Sequence, residues 1–166
     1  MKQKMTPIAS NEVTLVQQHP DHAEDLYSAL NDPSIYTFLD HSPPKSVRAV
    51  QQSIARQMIG APEDSSDVWL NWSVLMGKTI VGYTHATIQD GLSASLACVL
   101  SPDVWGTGIA LRAAQLTMSE LTNQHGISKW IVDTDVGNIA SQKLLNRLGF
   151  IEDSRHGSDI FYVRGF

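Results

Sequence analysis

The sequence has little with which to cross-link the chain or to bind a metal. Cys98 is the only cysteine among 166 residues, which excludes an intramolecular disulfide and a thiolate metal cluster. The six histidines are scattered without a recognisable ligand spacing, so we expect no metal site. No run approaches the roughly 18 apolar residues of a membrane helix, and residues 1–5 open no apolar leader. We therefore expect a cytoplasmic protein without a membrane partner.

Basic residues are also in the minority. The 12 lysines and arginines against 17 acidic residues give a formal net charge of -5, which repels a phosphate backbone and argues against a nucleic-acid partner. The Gly-x-Ser-x-Gly elbow and the full Gly-x-x-x-x-Gly-Lys-Ser/Thr loop are both missing, which sets aside serine hydrolases and P-loop enzymes. No repeat or linker divides the chain, so we expect a single domain over residues 1–166.

The sequence does have a glycine pair between a predicted strand and a predicted helix. Residues 96–100 form a short apolar run, and beyond Ile109 the apolar residues recur at helical spacing as far as Gly126. Gly106 and Gly108 therefore lie where the helix begins. Free N–H groups and the positive end of the helix dipole face an anion there, and the missing Cβ atoms let a pyrophosphate approach the backbone. A tight turn explains the glycines equally well.

A second strand-to-helix junction follows the first. Residues 130–136 alternate like a strand, with Asp133 and Asp135 on one side. Asn138 is suited to cap the next helix, which we expect to end at Gly149. The chain thus carries two strand–turn–helix units in succession.

Three motifs at these junctions resemble a known family. They are Trp105-Gly106-Thr107-Gly108-Ile109-Ala110, Asn138-x-x-Ser141 and Leu148-Gly149-Phe150. The chain resembles the GNAT superfamily of acyl-CoA N-acyltransferases, and the tryptophan before the first glycine resembles the branch of ribosomal-protein N-terminal and spermidine acetyltransferases. The resemblance covers about Val13 to Phe161. It implies an α/β (α+β) fold with a central mixed, mostly antiparallel twisted sheet of six to seven strands, flanked by about four helices.

The rest of the chain fits the element order of this fold. We expect strands over 13–16, 68–74, 80–88 and 159–164, and helices over 21–31 and 46–59. The final strand is a candidate for edge pairing with a second copy, so a monomer and a homodimer both stay open.

The resemblance implies that acetyl-CoA donates an acetyl group directly to a primary amine in a ternary complex. The amine is a protein N-terminus, a polyamine or a small molecule. Cofactor contacts are implied for Cys98, Val99, Leu100, Trp105, Gly106, Thr107, Gly108, Ile109, Ala110, Asn138, Ser141 and Lys143. Two alternatives are a longer acyl-CoA as donor and a module that senses acyl-CoA without turnover. The second arises because Asp103 and Leu145 depart from the family pattern.

Thioester aminolysis needs a proton acceptor for the amine and a proton donor for the leaving thiolate. An amine with a pKa of about 10.4 is mostly protonated at neutral pH. Asp133 and Asp135 are candidates to take its proton or to bind the ammonium, and each is equally well a solvated or cap-supporting carboxylate. Relatives often carry a tyrosine where this chain has Leu145, so Ser141 is the candidate proton donor. An ordinary first-turn serine is the alternative.

The acceptor site is implied by the resemblance to lie under the connection after the first helix. Tyr36, Phe38 and Asp40 lie in this connection and are candidate substrate contacts. His85, in the strand over 80–88, is a further candidate contact and a second choice for the base, because its pKa range suits proton transfer. A hydrogen-bonded structural histidine is the alternative.

Overall fold

A computed structural model describes residues 5–165 of the chain. Residues 1–4, on which part of the expectation of no apolar leader rests, lie outside this range. The four helices are α1 (Ala23–Leu30), α2 (Val47–Ile59), α3 (Ile109–His125) and α4 (Ile139–Arg147). The eight strands are β1 (Ile8–Ala9), β2 (Thr14–Gln17), β3 (Val68–Met76), β4 (Thr79–Gln89), β5 (Ser93–Leu100), β6 (Lys129–Asp135), β7 (Ile151–His156) and β8 (Asp159–Gly165).

All eight strands form one sheet in the order β1-β2-β3-β4-β5-β6-β8-β7. Every neighbouring pair is antiparallel except β5 and β6, which run parallel. The expected GNAT-type α/β sheet, mixed and mostly antiparallel, is therefore confirmed. The strand number exceeds the expected six to seven, because the two-residue β1 adds to one edge and the polar β7 adds to the other.

The helices begin and end at residues whose chemistry favours those positions. The Ser46 side chain accepts a hydrogen bond from the Ala49 N–H at 3.1 Å and so caps α2. Gly126, with φ of 66°, ends α3 in the left-handed conformation that glycine adopts at low cost. These ends match the sequence-based expectation.

Helices cover both faces of the sheet. On one face, α1 and α2 pack through Leu26, Leu30 and Ile54 against Val99 of β5. On the other, α3 and α4 pack against a larger core around Trp72 and Trp130. The sheet centre is therefore buried on both sides, and its strand ends carry the connections.

The expectation that the last strand lies at a sheet edge is wrong. β8 lies between β6 and β7 and is hydrogen-bonded on both sides. The edges are β1 and β7. The sequence did not indicate β7, because apart from Ile151 its residues are polar and they are mostly exposed. Such a strand lacks the apolar alternation by which strands are recognised.

Within residues 5–165, no helix has both the length and the apolar character that a membrane crossing requires.

Candidate functional site

The parallel strands β5 and β6 separate soon after they meet. They pair only at Ser93–Lys129 and Ala94–Trp130, and the remainder of both strands diverges. On its other side β5 stays paired with β4 up to Leu100. The divergence opens a gap along the outer side of β5.

Backbone polar groups of β5 point into this gap. The Ser101 N–H donates to the Val81 carbonyl of β4 at 2.8 Å. Hydrogen-bonded residues alternate along an antiparallel pair, so the N–H and C=O groups of Val99, two residues earlier, also point to β4. The N–H groups of Cys98 and Leu100 therefore point to the opposite side. The Trp105 indole N–H donates to the Leu100 carbonyl at 3.0 Å, which agrees with this direction.

The glycine loop closes one end of the gap. Gly106 and Gly108 have φ of 74° and 87°, so both need the left-handed backbone, and a Cβ at either would meet no atom within 4 Å. The first intrahelical bond of α3 runs from the Arg112 N–H to the Gly108 carbonyl. The N–H groups of residues 108–111 thus have no partner one helical turn earlier and can bind an anion.

Side chains brace this loop and leave part of it exposed. Trp105 is 51% exposed although its indole holds Leu100, and the Thr107 hydroxyl donates to the Val104 carbonyl at 2.6 Å. Arg112 pairs with Glu12 at 2.5 Å in the first turn of α3. The predicted cofactor residues Ile109 and Ala110 open this helix.

The second junction lies at the carboxyl end of β6. The Asn138 carboxamide oxygen accepts from the Ser141 N–H at 3.1 Å, which confirms Asn138 as the cap of α4 and places Ser141, half-buried, in its first turn. Lys143 follows as an exposed side chain. Leu145 is buried in the core, so the position at which relatives often carry a tyrosine offers no hydroxyl here.

The two acidic candidates have different surroundings. The Asp135 carboxylate accepts from the Gly137 N–H at 2.6 Å, which supports the turn into α4. Asp133 is exposed and lies opposite Phe161 of β8. Since Trp130 packs in the α3 core, alternation along β6 turns both carboxylates to the face of the sheet that carries α1 and α2.

The connection after α1 contacts the second junction. The Phe38 ring packs on Gly137, where an added Cβ would lie 2.9 Å from the ring. The Tyr36 hydroxyl donates to the Leu30 carbonyl at 2.8 Å, and the ring of Tyr36 meets that of His41 edge-on at 5.5 Å. Asp40 is exposed in the same connection.

A cavity of about 240 Å³ lies between this connection, α1, α2 and the sheet. Tyr36 and His41 line it from the connection, and Gln18 and Tyr83 line it from the sheet. Burial raises the pKa of Tyr83 to about 12, so this phenol is neutral at physiological pH. Neither Gln18 nor Tyr83 lies in a motif that could mark it as a site residue in the sequence.

His85 lies on β4 two residues after Tyr83, and both of its ring nitrogens have hydrogen-bond partners. Its Nδ1 is 2.7 Å from the Asn71 carboxamide oxygen, and its Nε2 is 3.0 Å from the Thr87 hydroxyl. Burial lowers the pKa of His85, which favours the neutral ring. A neutral imidazole that donates to Asn71 and accepts from Thr87 satisfies all of these contacts.

Solved structures with this fold include several acetyltransferases. One, from Salmonella typhimurium, modifies the N-terminal serine of a 50S ribosomal subunit protein. It is 16% identical with a TM-score of 0.81, over 97% of this chain and 99% of that chain. RimL, a ribosomal-protein acetyltransferase solved with coenzyme A, is 15% identical with a TM-score of 0.80, over 96% of this chain and 98% of that chain. An acetyltransferase of the GNAT family from Bacillus anthracis is 13% identical with a TM-score of 0.81, over 96% of this chain and 98% of that chain.

A search of curated protein sequences finds no match. The family model described as an acetyltransferase (GNAT) domain, however, matches residues 12–151, which is most of the chain. This range includes the diverging strands, the glycine loop and the turn into α4. The chain therefore belongs to the GNAT family and is an acyl-CoA-dependent acetyltransferase.

Proposed function

We propose that the chain, as one domain over residues 1–166, transfers acetyl from acetyl-CoA directly to a primary amine in a ternary complex. The observation that carries this proposal is the divergence of β5 from β6. Because the two strands are parallel, their carboxyl ends point in the same direction. The next α-helix after each strand begins at that end of the sheet. Two helix N-termini thus flank one gap.

The gap and the loop fit acetyl-CoA. The N–H groups of Cys98 and Leu100 suit the amides of the pantetheine arm, and the N–H groups of residues 108–111 suit the pyrophosphate. Space is open above Gly106 and Gly108, where a phosphate would approach. Trp105 and Thr107 hold this loop, and Lys143 supplies a positive charge on α4.

When bound, acetyl-CoA supplies a thioester carbonyl that an amine can attack and a thiol that can leave. The N–H groups that β5 turns into the gap stabilise negative charge that develops on the carbonyl oxygen. Ser141, at the start of α4, donates a proton to the leaving sulfur. The positive end of the α4 dipole favours a thiolate at the same place.

The amine approaches from the face that carries α1 and α2. Asp133 and Asp135 point to this face, where a carboxylate binds the ammonium or accepts its proton through a water. Tyr36, Phe38, Asp40 and His85 are further substrate contacts in this proposal. His85 is the second choice for the base, since its neutral ring already hydrogen-bonds Asn71 and Thr87.

An amine-acceptor screen with detection of free coenzyme A tests the proposal. The panel holds a peptide with N-terminal serine, spermidine, a free amino acid and an aminoglycoside, each with acetyl-CoA and with a longer acyl-CoA. We expect amine-dependent release of coenzyme A from acetyl-CoA, with intersecting initial-velocity lines as a ternary complex requires.

Three results would contradict this proposal in different ways. Binding of acetyl-CoA without release by any amine indicates a sensing module, and faster release from the longer donor indicates a different acyl group. Parallel velocity lines indicate a covalent acyl-enzyme. Quaternary structure stays a prediction, and β1 and β7 are the edges that offer strand pairing to a second copy.

A further inference from the structure

The cavity between α1, α2 and the sheet has an uncharged lining. None of its lining residues, all within the described part of the chain, is Asp, Glu, Lys or Arg. Burial raises the pKa of Tyr36 and of Tyr83, so both phenols stay neutral. A charged group in this cavity would lose water without gaining an opposite charge.

One polar atom of the lining lacks a partner. Gln18 is 4% exposed, and its carboxamide oxygen is buried without a hydrogen bond from any residue of 5–165. The side chain lines the cavity, while its backbone N–H donates to the Asn71 carbonyl at 3.0 Å. Buried polar atoms are generally hydrogen-bonded, so this acceptor lacks the partner that such atoms normally have. Because the Gln18 side chain lines the cavity, a turn of its carboxamide would bring the oxygen to a donor on a ligand held there.

The cavity is lined by β4, the strand next to β5, and the acyl donor lies along β5 in the proposed function. Tyr83 lines the cavity and lies directly opposite Val99 of β5. The next residues along β5 on either side, Cys98 and Leu100, turn their N–H groups into the gap. A group held in the cavity is thus close to the strand that positions the thioester.

We propose that this cavity, the neutral pocket, receives the group adjacent to the reacting amine and selects one that is uncharged and donates a hydrogen bond to Gln18. The inference rests on the proposed function, since the amine must reach the thioester. At about 240 Å³ the pocket is smaller than the roughly 300–1,000 Å³ of drug-sized sites, so it fits a group of one residue. The preferred acceptor is an uncharged amide-bearing or hydroxyl-bearing monoamine.

The test compares α-amino amides that differ in the side chain, together with a polyamine, and identifies the acetylated nitrogen by mass spectrometry. Serinamide, alaninamide, lysinamide and the α-amide of aspartic acid form the series, with spermidine as the polyamine. A peptide with N-terminal serine separates a peptide source from a small amide. We expect kcat/KM for serinamide and alaninamide to exceed that for the two charged amides and spermidine by about tenfold or more, because a buried unpaired charge is costly.

Substitution of Gln18 tests the contribution of its carboxamide oxygen to acceptor binding. Gln18→Leu keeps the size and removes the acceptor, so KM for serinamide should rise about 3- to 10-fold, as for the loss of one hydrogen bond, while the Kd of acetyl-CoA stays constant. Gln18→Glu adds a carboxylate and should shift preference towards lysinamide. Gln52→Leu, at an exposed position of α2 outside the pocket, is the matched control and should behave as wild type.

Calorimetry with the N-acetylated amides, in the absence of acetyl-CoA, measures the selectivity of the pocket independently of turnover. If the protein binds the neutral N-acetylated amides more tightly than the charged ones but acetylates no amine, the proposed function is wrong and the neutral pocket is supported. Turnover without discrimination between neutral and charged amides overturns the neutral pocket alone. An unchanged KM in a folded Gln18→Leu protein also overturns it, and if that variant does not fold, Gln18→Glu and the wild-type acceptor series decide.

Discussion

At the scale of single residues, Ser141 has the sharpest proposed role. Its backbone is fixed by Asn138, and Leu145 is buried where relatives often carry a tyrosine. Ser141→Ala should reduce kcat by about 10- to 10³-fold, because general acids contribute about 10²–10⁴-fold and a thiolate with a pKa near 8.5 already leaves tolerably. The Kd of acetyl-CoA should barely change. Steady-state kinetics and calorimetry measure both quantities.

Ser119→Ala, at an exposed position of α3, is the control for Ser141 and should keep wild-type kcat. If Ser141→Ala also keeps wild-type kcat while chemistry limits the rate, the serine is an ordinary first-turn residue. The thiolate then leaves without a proton from the protein.

The carboxylates of β6 can be separated by isosteric substitution. Asp135→Asn keeps an oxygen for the Gly137 N–H and removes the charge, so the turn should persist. Asp133→Asn removes an exposed charge on the same face. Whichever carboxylate handles the ammonium should, as Asn, raise the acceptor KM or lower kcat and leave acetyl-CoA binding intact.

The control for the acidic pair is Asp64→Asn, in the exposed loop before β3, which should leave acceptor kinetics unchanged. If neither Asp133→Asn nor Asp135→Asn alters those kinetics, the base is His85 or a water held by the backbone. A pH profile of kcat/KM for the variants distinguishes a lost base from a lost ammonium contact.

At the scale of elements, the glycine loop connects backbone conformation with cofactor binding. Gly106→Val or Gly108→Val meets no neighbour, but each forces a β-branched residue into the left-handed region at a cost of about 1–2 kcal/mol. The side chain also occupies the space where a phosphate approaches. Acetyl-CoA binding should weaken while the domain stays folded, as calorimetry and circular dichroism would measure.

Gly157 provides a matched control for backbone strain. It has φ of 60° in the turn between β7 and β8, with no atom within 4 Å of an added Cβ. Gly157→Val should therefore cost similar stability and leave acetyl-CoA binding unchanged. Equal binding by wild type and both loop variants would place the pyrophosphate site elsewhere.

At the scale of the whole molecule, the proposed sites of the two substrates lie in different places around β5. The gap beside β6 lies along one side of the strand, and the neutral pocket lies on the face covered by α1 and α2. Phe38 packs on Gly137 after β6, and the same connection supplies Tyr36 and His41 to the pocket lining. This arrangement allows an amine to approach a thioester held in the gap without displacing the donor, as a ternary complex requires.

The sequence by itself determined the features that depend on neighbouring residues. The cap at Asn138, the helix end at Gly126 and the position of Gly106 and Gly108 follow from local hydrogen bonding and backbone conformation, and the structure agrees. The same local motifs carried the resemblance to the GNAT family, which the match over residues 12–151 confirms. Cofactor and catalytic roles of individual residues stay predictions.

Only the tertiary structure decided which distant segments meet. The placement of β8 inside the sheet and the early separation of β5 from β6 depend on long-range strand pairing. So does the cavity that Gln18 and Tyr83 both line, although 65 positions separate them in the sequence. No local pattern encodes such pairings, because they arise from the packing of the whole sheet against its helices. The polar β7 was missed for the same reason, since its partner β8 and not its own residues makes it a strand.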